Sequence, residues 1–408
     1  YIRGEWTQGV QVSSWRKDRK DSIKHYERAR DLLISLAENV GTEDNPDTPE
    51  RRALINAERI GVSFDLVIAL ANKHPYGYGR WGWMGWWWDS AFEPEEDSEA
   101  VEEADYYYPR WRGWYPQDQT PPTGIPLDPD GKPRFMTTPA KYSANLGDGP
   151  KIRFLLGEIE RLDTSEKKED AAKAMMRWAM IARSLYGPET ASQGRAARVR
   201  YDRLGRPLPR THDTAEPKKK IWELSDDEAL TVVGGRVRVV TLPGSESPMA
   251  LLRLLEEKYP RSGLVPEAHY ARALYLQTRQ QFPRAMAKYR ELIRRYPDHK
   301  RASDAKAQME LIERPEAIFG ESGVYPPDSK PKLSFTYRNT DKVELKAFQF
   351  DLVKYIRDSM EDTTQDYWRY RDIRWNLFRR DEERWKEYLG KEVTGWTEDV
   401  PRPGGNRV

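Results

Sequence analysis

Residues 254–260 read LLEEKYP, and residues 289–297 read YRELIRRYP, so the chain twice presents an amphipathic stretch that ends in Tyr-Pro. The two Tyr-Pro pairs lie 37 residues apart. Because proline cannot continue a helix, each pair predicts the end of one. A period in the mid-thirties is typical of stacked helix pairs, which form extended surfaces for binding other proteins.

Small residues recur at a similar interval, because Ala268 and Ala271 return 34 residues later as Ala302 and Ala305. Pro283 is placed where a helix can begin, since the first turn needs no N–H at that position. An apolar stripe at helical spacing follows it, formed by Ala285, Tyr289, Leu292, Ile293 and Tyr296.

Residues of about 250–312 resemble the tetratricopeptide (TPR) family, in which small residues stand near positions 8 and 20 of the repeat and proline near position 32. Counted back from Pro297, Ala273 and Ala285 fall at the small positions, and Tyr289 falls at the aromatic position. The Tyr-Pro between repeats is similar to TPRs of bacterial envelope assembly proteins. An ordinary antiparallel helical hairpin is the alternative interpretation.

Composition narrows the class of protein. The 408 residues include 68 Lys and Arg against 66 Asp and Glu, and this balance gives no reason to expect nucleic acid as a partner. A charged fraction of 33% and a mean hydropathy of −0.89 suit an array of helices with much exposed surface. The sequence has no apolar run long enough to predict a membrane span. Cysteine is absent, which excludes disulfides and thiolate metal sites within these residues.

The N-terminal part, residues 1–75, is predicted to be a helical hairpin. A helix over 21–40 has a stripe of apolar residues, with Asp21 or Ser22 as its cap. A second helix begins at Thr48 by the rule that a capping residue precedes proline, and it extends to about residue 72.

Three later segments continue this organisation. Residues 150–188 predict another helical hairpin, and residues 189–245 predict a basic linker that can form a β-ribbon turning at Gly234 and Gly235. TPR-like repeats are predicted over 246–320. The predicted fold class is therefore mainly α, a TPR-like helical-hairpin array followed by a small C-terminal β portion.

Residues 76–149 interrupt the helical pattern and predict a long, irregular insertion rich in aromatic, acidic and proline residues. Three explanations of its tryptophans stay open: they clamp the insertion onto the helices, form an interface with another subunit, or contact sugars or lipid. Trp and Tyr dominate binding hot spots, so these residues are candidates for partner binding. The candidates are Trp81, Trp83, Trp86, Trp87, Trp88, Trp111 and Trp114, together with Tyr270 in the repeats and Trp368, Trp375 and Trp385 near the C-terminus.

The C-terminal segment, residues 331–408, changes to strand-like alternation. Apolar residues alternate with polar ones over 333–337 and again over 343–347, with Asn339 to Asp341 between them, which predicts two antiparallel strands joined by a turn. Residues 332–352 resemble the opening of the first macroglobulin domain in large bacterial proteins of the alpha-2-macroglobulin family. A long amphipathic helix is then predicted over 361–389, closed by Gly390.

No motif for chemistry is present. The five histidines show no metal-ligand spacing, and the chain has no Walker-type loop, dinucleotide fingerprint or Gly-x-Ser-x-Gly. His25 and His269 lie within predicted helices, where structural or surface roles are expected. The prediction is a protein that is not an enzyme and has no catalytic residue, cofactor or metal.

The predicted function is non-catalytic protein–protein interaction. The resemblances imply the N-terminal helical-repeat part of an alpha-2-macroglobulin-like envelope protein, which would lie outside the bacterial cytoplasm and trap proteases. A bait region or thioester, which that activity would need, is not identifiable in these residues. The alternative is a structural scaffold subunit of a larger complex. In either case the expected partners are proteins, a protease or other subunits, with self-association open and nucleic acid not expected.

Overall fold

The computed structural model describes residues 4–7, 10–13, 15–41, 47–71, 125, 127–186, 219, 221–233, 236–319, 335–361 and 386–400. The chain divides into a first unit, Tyr1–Met309, and a second unit, Glu310–Val408. The described residues are mainly helical with small sheets, which confirms the predicted fold class at that level.

Eight α-helices are described between Trp15 and Glu313, and each of the first six packs against the next one along the chain. Each of these contacts buries one face of a helix against its neighbour. The helices are α1 (Trp15–Glu38), α2 (Pro49–Ala71), α3 (Asp148–Leu162), α4 (Glu169–Tyr186), α5 (Pro248–Lys258), α6 (Val265–Thr278), α7 (Phe282–Arg295) and α8 (Lys300–Glu313).

Side-chain contacts join helices that are two apart along the chain. The helices of the first unit therefore lie in two layers. Arg30 on α1 bonds to Glu158 on α3 at 2.9 Å, and Lys258 on α5 pairs with Glu160 on α3. In the other layer α2 contacts α4, α4 contacts α6, and α6 contacts α8. These contacts are Lys173 over the Phe64 ring, Arg183 over the Tyr275 ring, and Arg301 with Glu267.

The two Tyr-Pro pairs occupy equivalent positions in the structure. Tyr259 caps α5 and Tyr296 caps α7 with similar backbone angles, and each N–H donates to a carbonyl four residues earlier. Pro283 lies in the first turn of α7, as its position in the sequence predicts. The connection from Tyr259 to α6 is longer than that from Tyr296 to α8, which explains why the Tyr-Pro spacing exceeds the alanine spacing.

The start of α2 agrees with its sequence, whereas the start of α1 does not. The Thr48 hydroxyl accepts a hydrogen bond of 3.2 Å from the Arg51 N–H, so Thr48 is the cap that the sequence predicts. The prediction that Asp21 or Ser22 caps α1 is wrong, because α1 begins at Trp15 and both residues lie inside it. Polar residues in the first two turns hide this earlier start, since they interrupt the apolar stripe.

A ribbon of two antiparallel strands, β3 (Glu228–Val233) and β4 (Arg236–Thr241), lies within the segment predicted as a linker. Val233 pairs with Arg236, and the two residues between them in the sequence are Gly234 and Gly235, where the ribbon is predicted to turn. Ala229, Val233 and Val240 are buried in the same core as residues of α2 to α6. A further pair, β1 (Gly4–Thr7) with β2 (Val10–Ser13), has no counterpart among the sequence predictions.

Two buried side chains in the α6–α7 turn fix the segment that leads into the ribbon. Arg279 is 1% exposed and donates a hydrogen bond of 2.9 Å to the carbonyl of Ser225. Gln281, also buried, donates one of 2.6 Å to the carbonyl of Leu224. Because these bonds are made to backbone carbonyls, the sequence of the segment does not reveal them.

The second unit contains four described strands and one helix: β5 (Glu316–Phe319), β6 (Phe335–Arg338), β7 (Lys342–Phe350), α9 (Leu352–Glu361) and β8 (Leu389–Asp399). The predicted pairing of the two strands around Asn339 is wrong. β6 pairs with β5, and β7 pairs with β8. Alternation in sequence identifies a strand, but it does not identify the strand's partner.

The predicted helix over 361–389 is wrong at its end. Leu389 and Gly390 belong to β8, and Leu389 pairs with Phe350. The described helix of this unit, α9, lies before the predicted one, and residues 362–385 lie outside the described part of the chain. The helix is predicted from an apolar stripe at helical spacing, Trp368, Trp375, Phe378, Trp385 and Leu389, whose last residue is the first residue of β8.

Candidate protein-interaction surface

Helix α6 is covered by neighbouring helices on almost every side, and its incompletely buried residues form one narrow stripe. Before Thr278, the last residue of α6, the half-buried residues are Glu267, Tyr270, Leu274 and Gln277, and the residues between them are buried. Their spacing of three or four places them on one face of the helix. This stripe is therefore the side from which α6 can be reached.

The facing helix α8 presents a matching stripe. Arg301, Asp304 and Gln308 are half-buried and follow Glu267, Tyr270 and Leu274 by 34 residues each. The repeat period thus places equivalent positions of two helices side by side. We call these seven residues the α6–α8 seam: Glu267, Tyr270, Leu274, Gln277, Arg301, Asp304 and Gln308.

Arg301 joins the two carboxylates at the charged end of the seam. Its guanidinium donates hydrogen bonds of 2.6 Å to Glu267 and 2.7 Å to Asp304. The hydrogen bond that Arg301 donates to Glu267 is the main cause that raises the pKa of Arg301 above its usual value. Because one guanidinium bridges two carboxylates, this part of the seam has a fixed pattern of charge.

Tyr270 lies at the centre of the seam, between a cation and a second ring. The Arg301 guanidinium lies 4.8 Å from the centre of the Tyr270 ring, and the Tyr289 ring centre lies 5.9 Å away. Burial raises the pKa of Tyr270, which keeps the phenol protonated and able to donate a hydrogen bond. Tyr270 is the one predicted binding residue that the structure describes, and its role in partner binding stays a prediction.

A chain of hydrogen bonds orients the amides at the other end of the seam. The Tyr289 hydroxyl donates to Gln277 Oε1 at 2.7 Å, and Gln277 Nε2 donates to Gln308 Oε1 at 2.9 Å. Burial raises the pKa of Tyr289, so its hydroxyl remains a donor over the physiological range. The chain therefore fixes which way the Gln277 and Gln308 amides point.

His269 lies on the opposite, fully buried side of α6. Its Nε2 lies 3.3 Å from an Arg295 nitrogen and 3.4 Å from a Glu256 oxygen. Burial lowers the pKa of His269 to about 4, so the ring is neutral at pH 7 and the Glu256 contact is not an ion pair. A histidine with no exposed surface cannot contact an external molecule, which agrees with the expected structural role. His25 is exposed, with Nδ1 2.6 Å from the carbonyl oxygen of Asp21.

A second buried polar cluster lies where α4 meets the turn before α5. Glu246 has no exposed surface, and one of its oxygens accepts a hydrogen bond of 3.1 Å from the Tyr186 hydroxyl. Its other oxygen makes no hydrogen bond among the described residues. Burial raises the pKa of Glu246 to about 7, and the positive charge of Arg153 opposes this shift. The cluster is inaccessible, so it bears on stability instead of binding.

Ten of the eleven predicted binding residues lie outside the described part of the chain, so the structure does not test them. These residues are Trp81, Trp83, Trp86, Trp87, Trp88, Trp111, Trp114, Trp368, Trp375 and Trp385. Sequence reasoning missed the other six residues of the seam: Glu267, Leu274, Gln277, Arg301, Asp304 and Gln308. The 34-residue interval could have identified Asp304, since it relates Asp304 to the predicted Tyr270.

Two further findings concern the described residues alone. They include no group of three or more acidic or histidine side chains placed to hold a metal ion. None of their helices has the length and apolar character needed to cross a bilayer. The comparisons with known proteins found no match to this chain among family models, curated proteins or solved structures.

Proposed function

We propose that this chain is a non-catalytic protein-binding module and that the α6–α8 seam is its recognition surface. The observation that carries the proposal is the stripe of half-buried residues shared by two helices of one layer. Arrays of stacked helices bind partners along such shared surfaces. Tyr and Arg, both present in the seam, are the side chains most often found at binding hot spots.

The chemistry of the seam favours a polypeptide as the ligand. Oriented amides at Gln277 and Gln308 can exchange hydrogen bonds with a peptide backbone, whose N–H and C=O groups recur at every residue. The bridged carboxylates of Glu267 and Asp304 add a charged end that can discriminate among side chains. Because the internal bonds of the seam already fix its side chains, binding would lose little side-chain entropy.

Several features support a TPR-type repeat as the basis of this module. Ala273 and Ala285 have no exposed surface, which suits small residues where two helices approach closely. Tyr289 is also fully buried, and α6 packs against α7. The equivalent caps at Tyr259 and Tyr296 repeat the same local geometry.

A more specific proposal places the module in a larger alpha-2-macroglobulin-like inhibitor of endopeptidases in the bacterial envelope. The strands β6 and β7 lie where the macroglobulin resemblance expects strands, which supports it. Their pairing with β5 and β8 departs from that expectation and favours the alternative, a scaffold subunit of a multiprotein complex. Both versions assign protein binding to the seam.

A photocrosslinking experiment tests the seam directly. The photoreactive amino acid p-benzoylphenylalanine would replace Tyr270 in cells that make the protein, with the 43% exposed Leu254 on α5 as the control position. A discrete protein should crosslink at position 270 and not at position 254. Equal crosslinking at both positions would argue against a defined surface.

The captured partner then permits a measurement of affinity. Replacing Gln308 with Ala should weaken binding by about 1 kcal/mol or more, because it removes an oriented amide from the recognition surface. Lys306→Ala is the matched control, since Lys306 is exposed on α8 and lies outside the seam. Unchanged affinity for Gln308→Ala in calorimetry would refute the seam as the recognition surface. Hydrolysis of a substrate by the purified protein in a broad hydrolase screen would instead support an enzymatic function.

A further inference from the structure

The β7–β8 ribbon of the second unit has a large number of exposed apolar side chains for a sheet of two strands. Seven large apolar side chains with substantial exposure lie in or beside it: Phe348, Phe350, Leu352, Val353, Leu389, Val393 and Trp396. An isolated pair of strands is marginally stable in water. Exposed apolar surface of this kind marks a site of association.

The ribbon has one irregular strand and one regular strand. Between Ala347 and Phe350 the pairing shifts twice, and both shifts add a residue to β8, since Ala347 pairs with Thr394 and Phe350 pairs with Leu389. Bulges bend a strand and hinder pairing along its edge. β7 has no extra residue of its own, its burial alternates from Lys342 to Ala347, and among the described strands it pairs with β8 alone. Its other edge is the one suited to a further strand.

The two faces of β7 have different character. Val343, Leu345 and Ala347 are half-buried on one face, with Trp396 opposite Leu345. Glu344 and Lys346 are exposed on the other face, 2.8 Å apart, and Phe348 and Phe350 follow them on that face. Antiparallel pairing places directly opposite residues on the same face, so an incoming strand must match both patterns at once.

We propose that a second copy of this chain pairs with the open edge of β7, antiparallel and centred on Leu345. In this register Leu345 meets its own copy and Val343 meets Ala347, so the apolar face continues across the dimer. On the other face Glu344 of each copy meets Lys346 of the other, which forms two opposite-charge pairs. The result is a four-stranded sheet with the order β8, β7, β7 and β8.

Neighbouring registers are disfavoured by the same residues. Centring on Lys346 places two lysines directly opposite each other, and centring on Glu344 opposes two glutamates and brings Lys342 against Lys346. Like charges in directly opposite positions destabilise a sheet. A shift by one residue would place the apolar face of one copy beside the charged face of the other. The charge pattern of β7 therefore favours the register centred on Leu345 over these neighbouring registers.

The absence of cysteine makes a register-specific test simple. Leu345→Cys places two thiols opposite each other at the twofold axis, within the Cα separation of about 4.4–6.8 Å that a disulfide needs. Val343→Cys places its thiols about 13 Å apart, since they are offset by four residues. Thr397→Cys on β8 reports pairing through the other strand. Oxidation of the full chain should give covalent dimers of Leu345→Cys alone, whereas a mixture of Val343→Cys with Ala347→Cys should also crosslink.

Charge reversal supplies an independent measurement. Sedimentation equilibrium of the full chain should show a dimer, and E344K or K346E should each weaken it roughly tenfold or more, because both opposite-charge pairs become like-charge pairs. The double variant E344K/K346E restores the pairing and should recover the dimer. A monomer at all concentrations, crosslinking of Thr397→Cys instead of Leu345→Cys, or no recovery in the double variant would overturn the proposal. The seam lies in the first unit, so either idea can fail while the other stands.

Discussion

The repeat helices α5 to α7 and the β7–β8 ribbon differ in how far apart in sequence their packing partners lie. Tyr259 ends α5, and its N–H donates to the carbonyl of Leu255, four residues earlier. Tyr296 ends α7 with the equivalent bond to Leu292. In the ribbon, Lys342 pairs with Asp399 at one end and Phe350 with Leu389 at the other. Local rules therefore determine where the helices end, whereas strand partners depend on how distant segments return.

The two regions also differ in how much of their apolar surface is buried. Tyr289 on α7 has no exposed surface, whereas Trp396 on β8 is 43% exposed. Each ring is the largest apolar group of its element. Helix stacking has thus completed a core in one region, and the ribbon has left its apolar face open.

Truncating these two rings gives the largest expected difference. Tyr289→Ala should lower the free energy of unfolding of the first unit by about 3–5 kcal/mol, because it leaves a cavity between α6 and α7. Trp396→Ala should cost less than about 1 kcal/mol, since much of its ring is already hydrated. Native-state hydrogen exchange, read separately in α7 and β7, would measure both effects.

Tyr289→Phe is the control for the first effect, because it removes the bond to Gln277 and keeps the ring. Its cost should be about 1 kcal/mol. If Trp396→Ala were as destabilising as Tyr289→Ala, the ribbon face would belong to a core, and the contrast between the two regions would fail.

What could be predicted from the sequence follows the same division. The Tyr-Pro helix ends, the first-turn proline at 283 and the Thr48 cap depend on a few adjacent residues, and the structure has all three. The partner strands of β6 and β7 could not be predicted. An alternating pattern of apolar and polar residues is compatible with any partner strand. The assignment of Leu389 to a helix failed because an apolar stripe at helical spacing and the start of β8 share that residue.

The candidate site was predictable only in part. Tyr270 is recognisable as an aromatic residue in a repeat, but its contacts with Arg301 and Tyr289 come from a different helix in each case. Gln277 and Gln308 are ordinary polar residues in the sequence. Their importance arises from the chain of hydrogen bonds that begins at a buried tyrosine, and composition does not reveal this.

The next expected effect concerns Glu246, whose burial no local pattern indicates. The pKa of Glu246 is raised to about 7 from 4.5, so the folded state binds its proton more tightly than the unfolded state. Stability from this group is complete below pH 4.5, falls as the pH rises and is lost above about pH 7. Glu246→Gln should therefore be more stable than the natural protein at pH 8, by up to about 3 kcal/mol, and should show little gain at pH 4.5.

Urea unfolding at several pH values would measure the difference between the two proteins. Subtracting the curves isolates Glu246 from His269, whose lowered pKa of about 4 makes its own contribution disappear as the pH falls below 6.5. Tyr186 and Arg153 face Glu246 from α4 and α3, and both remain in the variant. A difference that is constant with pH would show that Glu246 is not buried as the structure has it.

The smallest expected effect compares a cap that the sequence predicts correctly with one that it predicts wrongly. Thr48→Ala should destabilise α2 by about 1 kcal/mol, because the Arg51 N–H loses its acceptor, and Thr48→Ser should retain most of the stability. Asp21→Ala should change stability by less than about 0.5 kcal/mol, since Asp21 lies inside α1 and caps nothing. Thermal unfolding of the three variants at one pH would measure these differences.

The Asp21 result decides where α1 begins. If Asp21→Ala cost as much as Thr48→Ala, residue 21 would be a cap and the turns from Trp15 to Lys20 would not be helical. That outcome would also break the ion pair between Arg19 and Asp148, because Arg19 reaches α3 from within those turns. A small effect at Asp21 beside a large one at Thr48 would show that the capping rule is reliable only where proline fixes the first turn.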